Sequence, residues 1–558
     1  MELKTPLLRV KISTCLKQVL DKLQVEYNCE IPATVQLAIE HPQDPAHGDF
    51  ATGISLKLAR ILKTSPMDIA KKIVNHMPAL PEISTITVAS PGFINFTVKN
   101  TWLSAQVESI LALGQSYANV NIGENRSIQV EFVSVNPTGP LHVGHGRGAV
   151  LGSTIANILD AAGYSVEKEY YLNDTGNQIA TFGHSLYTRY CNQLGKKGDL
   201  PTNGYFGNYI NDLARSIIDT QGDCFINLAS QDAILQLGQI GTSLIIEGIK
   251  QDLNNINVSF DSWFSEKSLY QNGEYNRTMS LLEQSGYIVK KDNATWFESS
   301  SLGEDKDNVL VRSDGVPTYF ASDIAYHYNK FFIRNFDTVI DVWGADHQGH
   351  LPRMKAAMKA LGKDPENLKV VICQLVTLRR GNEIVRLSKR SGDIVTLREL
   401  VDEVGLDACR FFFLSRSANS QMDFDIALAK EQSDNNPVYY VQYAHARIAS
   451  ILRLAHQRSI DFSQGDVSLL TTESESALIR KLTLIPEIIE HIAETLEPHH
   501  LPYYTQELAT TFHSFYKQCR VISDNDDLTR ARLKLVKATQ IILARSLSLM
   551  GMKAPEKM

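Results

Sequence analysis

Cysteine is scarce in this chain and follows no pattern. Its seven cysteines, Cys15, Cys29, Cys191, Cys224, Cys373, Cys409 and Cys519, are odd in number and far apart, and no CxxC pair occurs. That argues against a disulfide framework and a zinc knuckle, so no bound zinc is expected and a reducing, cytoplasmic compartment fits. Long hydrophobic runs are missing too. No stretch of about eighteen apolar residues exists, which argues against a membrane span. The opening stretch, MELKTPLLRVKISTCLKQVL, reads as an amphipathic helix with scattered lysines. It has neither the uninterrupted apolar core nor the small-residue cleavage site of a secretory signal. No internal repeat or low-complexity tract is present. Nor does one sign of charge dominate: Lys plus Arg total 55 against 62 for Asp plus Glu, a formal net charge of −7. Such a balance argues against a surface coated in nucleic acid but leaves room for a local basic face.

What is present is ordinary globular material, 43% apolar and 21% charged over 558 residues. That is too much chain for one hydrophobic core, and about three domains are expected. Residues 1–110 begin with helical periodicity, then give the strand-like runs ISTITVA and GFINFTV on either side of Ser90-Pro91, closed by a helix from Trp102 to Leu113. A small α+β domain follows from that pattern. Residues 111–415 alternate strand-like and helix-like segments. Ser127 to Ser134 alternates as a strand does, then passes through a Pro/Gly-bearing loop into the small-residue helix AVLGSTIANILDAAG, ended by Gly163. TVIDVWG (338–344) reads as a strand before the helix LPRMKAAMKALG, and LKVVICQLVTL (368–378) as another strand. This alternation predicts a Rossmann-like, doubly wound parallel sheet, interrupted by polar helical material at about 190–300. Within residues 416–558 the strand signals vanish from about 430 onward. NPVYYVQYAHARIASILRLA, ALIRKLTLIPEIIEHIAETL and LKLVKATQIILARSLSLMG place apolar residues at helical spacing, the mark of an all-α helical bundle. The predicted fold is multidomain α/β.

Two segments carry the chemistry. EFVSVNPTGPLHVGHGRGAVLG lies where a strand hands over to a helix, the place where open α/β folds bind ligands. The helix start offers free N–H groups and a positive dipole end for phosphate. His142 and His145 sit three apart, so both imidazoles can face one ligand, and Gly144 between them lets it approach the backbone. The plainer alternative is a glycine-rich turn with two surface histidines. About 240 residues on lies Arg386-Leu387-Ser388-Lys389-Arg390-Ser391-Gly392. A lysine between Ser388 and Arg390 on such a loop can neutralise a triphosphate under attack at its α-phosphorus. A solvated basic loop would look the same.

In this order and separation the two segments resemble the paired nucleotide motifs of class I aminoacyl-tRNA synthetases. His142-Val143-Gly144-His145 matches the HxGH element, and Arg386 to Arg390 is similar to the KMSKS element. Arginine there replaces the first lysine and the last serine, so the resemblance assigns phosphate chemistry to Lys389, with Arg386 and Ser388 beside it at the ATP. Within the class, the chain resembles the bacterial-type arginyl-tRNA synthetases over nearly its whole length. The resemblance implies an arginine pocket from Glu131, Asn136, His142, Tyr319, Asp323 and Gln348. It places Gly144, Asp346 and His347 at the ATP, and His142, His145 and Lys389 in catalysis. A guanidinium needs a planar acceptor, which Asp323 provides, and the substrate ammonium an acceptor such as Glu131 or Asn136. Asp323 read without the family is equally a helix N-cap.

The resemblance extends to tRNA. Ser90, Phe93 and Asn95 match positions that meet a D-loop base, although Phe93 could instead be a core residue of its strand. Asp407-Ala408-Cys409-Arg410 lies at the approach to an anticodon-binding bundle, where Tyr440, Tyr443, Arg447 and Met558 match anticodon contacts. Tyr440, Tyr443 and Arg447 share one helix face, which also suits packing against a neighbour. Arg530, Arg532, Lys534, Lys537 and Arg545 form a basic run that is either a tRNA surface or a solvated face. The resemblance implies L-arginine, ATP with Mg2+ as its substrate complex, and tRNA(Arg) as partners. It further implies no membrane association, a monomer, and activation that waits for bound tRNA.

Overall fold

The computed structural model describes residues 7–32, 34–381, 383–385 and 395–558. At the N-terminus, the Leu8–Glu26 helix buries Leu8, Ile12, Leu16, Val19, Leu20 and Leu23, a stripe at three- and four-residue spacing. An antiparallel sheet follows, ordered β1 (Phe50–Thr52), β3 (Phe93–Val98), β2 (Ile83–Ala89). The run ISTITVA is β2 residue for residue. The helix after β3 is Asn100–Leu113, two residues longer at its start than the sequence suggests.

The central sheet contains β4 (Ser127–Glu131), β5 (Ser165–Leu172) and β6 (Ser262–Ser265). After β6 comes a separate antiparallel sheet of β7 (Ile288–Lys291), β8 (Ala294–Phe297) and β9 (Asn308–Val311). The chain then returns to the central sheet with β10 (Thr338–Gly344) and β11 (Leu368–Cys373). The order is β11-β10-β4-β5-β6 and every pairing is parallel. From β4 the chain winds outward to β5 and β6, then crosses to the other side as β10. The topological switch therefore falls between β4 and β10, the crevice where such sheets bind ligands. The Val143–Ala161 helix lies so close to the sheet that a Cβ on Gly152 would come 2.2 Å from the Phe132 ring. Glycine is needed at that contact.

Two sequence expectations change here. The polar stretch at about 190–300 is not all helical inserted material, because β6 belongs to the central sheet. Its four residues, SWFS, are too few to show an alternating pattern. LKVVICQLVTL is two strands, not one. β11 stops at Cys373, and Gln374 turns away to donate to Ala418 O (3.0 Å) and accept from Arg147 (2.8 Å). The continuation, β12 (Val376–Arg380), pairs with β13 (Glu383–Ile384) and β14 (Met422–Asp425) in another sheet.

The C-terminal region is helical: Pro437–Gln457, Glu473–Thr483, Ile485–Thr495, His500–Gln518 and Asp526–Leu549. ALIRKLTLIPEIIEHIAETL spans two helices rather than one, because Pro486 cannot continue a helix but is tolerated in a first turn. Arg410 locks this region to the centre. Fully buried, it donates to Met550 O, to Ile256 O (2.7 Å) and to Ser153 Oγ (2.9 Å). Three of the five basic residues near the C-terminus are also structural, while Arg530 is exposed. Arg532 is buried and bonded to Glu475 (2.7 Å), Lys534 is buried against Glu108 (2.6 Å), and Arg545 holds Asn119 (2.8 Å). Neither a tRNA surface nor a solvated face describes these three side chains. Among the described residues, no helix is long and apolar enough to cross a membrane.

Candidate active site

The histidine turn is built by reciprocal capping. His142 is the N-cap of the Val143–Ala161 helix, and its Nδ1 accepts the His145 backbone N–H (3.4 Å). The His145 Nδ1 in turn accepts the His142 backbone N–H (3.3 Å). The rings consequently stack, with centroids 3.4 Å apart and planes at 24°. Gly144 makes this fit: a Cβ there would stand 3.0 Å from His142 Cε1. Burial lowers the pKa of His142 and brings that of His145, with His142 adding to the effect, down to about 3. Both rings are neutral at pH 7. Since each Nδ1 is an acceptor, each Nε2 carries the proton and is a donor. The two histidines thus offer hydrogen-bond donors rather than cations to a phosphate.

The loop before this turn begins with Val133 at φ +70° and Ser134 at φ +42°. A branched residue at positive φ is strained, and here the strain sits in the ligand crevice. No local sequence pattern marks it. Segment 386–394, which contains Arg386, Ser388 and Lys389, lies outside the described residues. Its downstream flank is tied to the histidine turn. Thr396 bridges to His142, and Leu397 N–H donates to Leu141 O (2.8 Å).

Across the switch point, acidic groups gather at the carboxyl edge of the sheet. Glu131 ends β4 and accepts from Lys330 Nζ at 2.5 Å. Lys330, fully buried in the π-helical turn Asn329–Ile333, also bonds Asp341 (2.9 Å), and Asp341 accepts from His327 (2.9 Å). Burial acts to neutralise Lys330, but Asp341 and Glu131 outweigh it and hold its pKa above the ordinary value. Asp323 lies in the Tyr319–Tyr328 helix, whose N-cap is Thr318. It is therefore not an N-cap. Among the described residues no protein donor reaches its carboxylate. Burial, with Glu266 and Glu131 adding to it, pushes its pKa up to about 7. Glu266, directly after β6, is raised by burial too, and its Oε2 finds no partner among the described residues. Tyr319 stands one helical turn from Asp323 and is exposed. Asn136 donates to Gln178 (2.6 Å).

Beyond β10, the 3-10 turn Ala345–His350 leaves Asp346, His347 and Gln348 exposed at the same edge. Arg353 follows, 2.6 Å from His350 Nδ1 and 4.9 Å above the Phe320 ring. Lys330, Glu266 and Arg353 have no motif to mark them. The fold alone brings them to the site.

The remaining sequence candidates lie in the N-terminal sheet and the C-terminal helical region. Phe93 is exposed at the start of β3, not a core residue, and Ser90 is exposed beside it. Asn95, two residues on, is buried within the sheet. Tyr440, Tyr443 and Arg447 are half-buried. Arg447 stacks on Tyr443 (4.6 Å) and on Tyr516 (5.0 Å) of the neighbouring helix, while Tyr440 meets His513 (4.8 Å). Met558 is exposed, and its tail lies along that helix through His445 to Pro555 O (2.8 Å) and Arg453 to Glu556 O (3.0 Å).

A parallel sheet with stacked HxGH histidines at its switch point fits a class I aminoacyl-tRNA synthetase, and a family model of that class matches the same residues. That model, for tRNA synthetases class I (R), catalytic domain, matches residues 106–424. The models for the arginyl tRNA synthetase N terminal domain and the DALR anticodon binding domain match residues 10–98 and 441–558. An arginine–tRNA ligase of Dehalococcoides mccartyi is 55% identical, covering 97% of this chain and 98% of its own length. One from Carboxydothermus hydrogenoformans is 49% identical, covering 93% and 94%. The solved arginyl-tRNA synthetase of Thermus thermophilus, 23% identical, shares the fold at a TM-score of 0.80 over 99% of this chain and 100% of that one. The chain belongs to the arginyl-tRNA synthetase family.

Proposed function

We propose that this chain ligates L-arginine to tRNA(Arg) at the expense of ATP, through an arginyl-adenylate, releasing AMP and pyrophosphate. The observation that carries the substrate choice is Asp323. Burial among further acids pushes its carboxyl up to a pKa of about 7, and among the described residues no protein donor reaches it. A guanidinium resolves that arrangement by bidentate bonding, and a neutral side chain does not. In this reading Asp323 and Tyr319 receive the guanidinium. Glu131, with one oxygen fixed by Lys330, presents the other to the substrate ammonium, near Asn136 and Gln348.

In the first step the arginine carboxylate attacks the α-phosphorus of ATP, which enters with Mg2+, and pyrophosphate leaves. In the second, the terminal ribose hydroxyl of the tRNA attacks the mixed anhydride and AMP leaves. No protein nucleophile is needed; positioning and charge stabilisation suffice. The Nε2–H groups of His142 and His145, with Lys389, would bind the charge that develops on the phosphates. Gly144 allows the close approach, and Asp346, His347, Arg386 and Ser388 complete the ATP site. We assign residues 1–110 to the tRNA elbow through the exposed Ser90 and Phe93, with Asn95 buried behind them. Residues 111–415 form the catalytic unit, and 416–558 read the anticodon through Tyr440, Tyr443, Arg447 and Met558. Arginine-dependent ATP–pyrophosphate exchange, run with and without tRNA, tests the activation step. Exchange supported by another amino acid in preference to arginine contradicts the reading.

A further inference from the structure

A second constellation of ligating groups lies in the helical bundle. The Ile485–Thr495 helix ends at Leu496 in the left-handed conformation (φ +58°), and Glu497-Pro498-His499 turn the chain into the His500–Gln518 helix. This reversal brings His491, Glu497 and His500 together. One ligand atom from each lies within 4.8 Å of those from the other two. His500 Nε2 stands 3.4 Å from Glu497 Oε2, and the His491 and His500 rings are 4.8 Å apart at 71°. His499 is adjacent, its ring 4.3 Å from that of His500 and its Nδ1 buried without a partner among the described residues.

We propose that His491, Glu497 and His500 form a binding site for a borderline divalent transition metal, with zinc as the natural occupant. Two imidazoles and a carboxylate are a zinc-type donor set, whereas magnesium and calcium prefer oxygen alone. Tetrahedral zinc with bonds of about 2.0–2.1 Å sets its ligand atoms about 3.3 Å apart. The His500–Glu497 separation already meets that spacing. His491 must close by at most about 1.5 Å, and its side chain is exposed. Water or His499 supplies a fourth ligand. The metal would cross-link the last turn of one helix to the first residue of the next. The same turn is fastened to the catalytic unit by Tyr503, whose hydroxyl donates to Ser415 O (2.7 Å). The site is thus a staple at the joint between the bundle and the centre. The scarcity of patterned cysteine bears only on thiolate sites and not on this one.

The test uses the full chain, stripped of metal, titrated with Zn2+ in competition with a chromophoric chelator in the presence of millimolar Mg2+. The double variant His491→Ala/His500→Ala is titrated alongside, because the histidines of the ATP crevice can also take zinc. Circular dichroism of the metal-free variant, together with the single variant His491→Ala at an exposed position, controls for folding. The proposal predicts one Zn2+ equivalent bound by the wild type and lost, or weakened at least about tenfold, in both variants. Co2+ would give tetrahedral visible absorption in the wild type alone. Identical isotherms for wild type and variants, or Mg2+ displacing the Zn2+, would overturn it.

Discussion

Lys330 Nζ lies 2.5 Å from Glu131 and 2.9 Å from Asp341, a buried cation shared by two carboxylates on adjacent strands. One of those carboxylates, Glu131, ends β4 at the proposed amino-acid site. The other is buried deeper and bonded to His327. Lys330 therefore fixes one oxygen of Glu131 and leaves the other for the proposed substrate ammonium.

Replacing Lys330 by Met keeps much of its volume but strips Glu131 of its side-chain donor and leaves Asp341 with His327 alone. Breaking such a pair costs about 3–5 kcal/mol, and denaturant unfolding should register a loss of that size. In whatever fraction stays folded, KM for arginine should rise. Wild-type stability in the variant would mean that the pair does not hold the site.

The Asp323 carboxyl titrates at about 7 in the free protein because burial opposes its charge. An acid whose folded pKa is raised binds its proton more tightly folded than unfolded. Between the ordinary carboxylate range and pH 7, its ionisation therefore lowers stability as pH rises. Asp323→Asn should accordingly raise Tm at pH 7.5 while weakening arginine by about 2–5 kcal/mol. Wild-type arginine affinity should improve from pH 6 to pH 8, and the variant should lose that dependence. Isothermal titration over this range checks both.

His145 behaves in the opposite sense. Its folded pKa of about 3 lies below the unfolded value, so the stability it contributes is present above the unfolded pKa and lost as pH falls toward the folded one. His145→Gln should take up about one proton fewer on unfolding near pH 5. In exchange assays the same variant should lose kcat by about 100-fold or more, with KM for arginine nearly unchanged. A large rise in KM with intact kcat would move His145 from the phosphates to the amino acid.

The two basic groups of the C-terminal region should separate cleanly. Arg532 is buried against Glu475, so Arg532→Gln should cost about 3–5 kcal/mol of stability and leave the salt dependence of tRNA binding alone. Arg447, half-buried between two tyrosine rings, should when changed to Ala weaken tRNA and lower the salt slope by about one unit. Equal salt slopes in both variants would remove Arg447 from the proposed anticodon face.

The sequence announced the parts of this molecule whose signal is local. ISTITVA and TVIDVWG are strands at the predicted residues because each alternates or runs apolar over seven positions. The HVGH turn was legible because glycine, histidine and a following small-residue helix are neighbours in the chain. Lys330 was not. Its partner Glu131 is 199 residues away, and a lysine in FDTVIDVWG's approach looks like any surface lysine until the fold buries it. Glu266 was hidden for the same reason, since β6 is too short to show itself. The basic run misled because charge spacing along a helix does not reveal which side faces the carboxylates of Glu475 and Glu108.

Arginine specificity is tested most directly by aminoacylation of total tRNA by the purified chain with each of the twenty amino acids in turn. Charging by arginine alone, abolished in Asp323→Asn, is the predicted result. Charging by any other amino acid in preference to arginine contradicts the account.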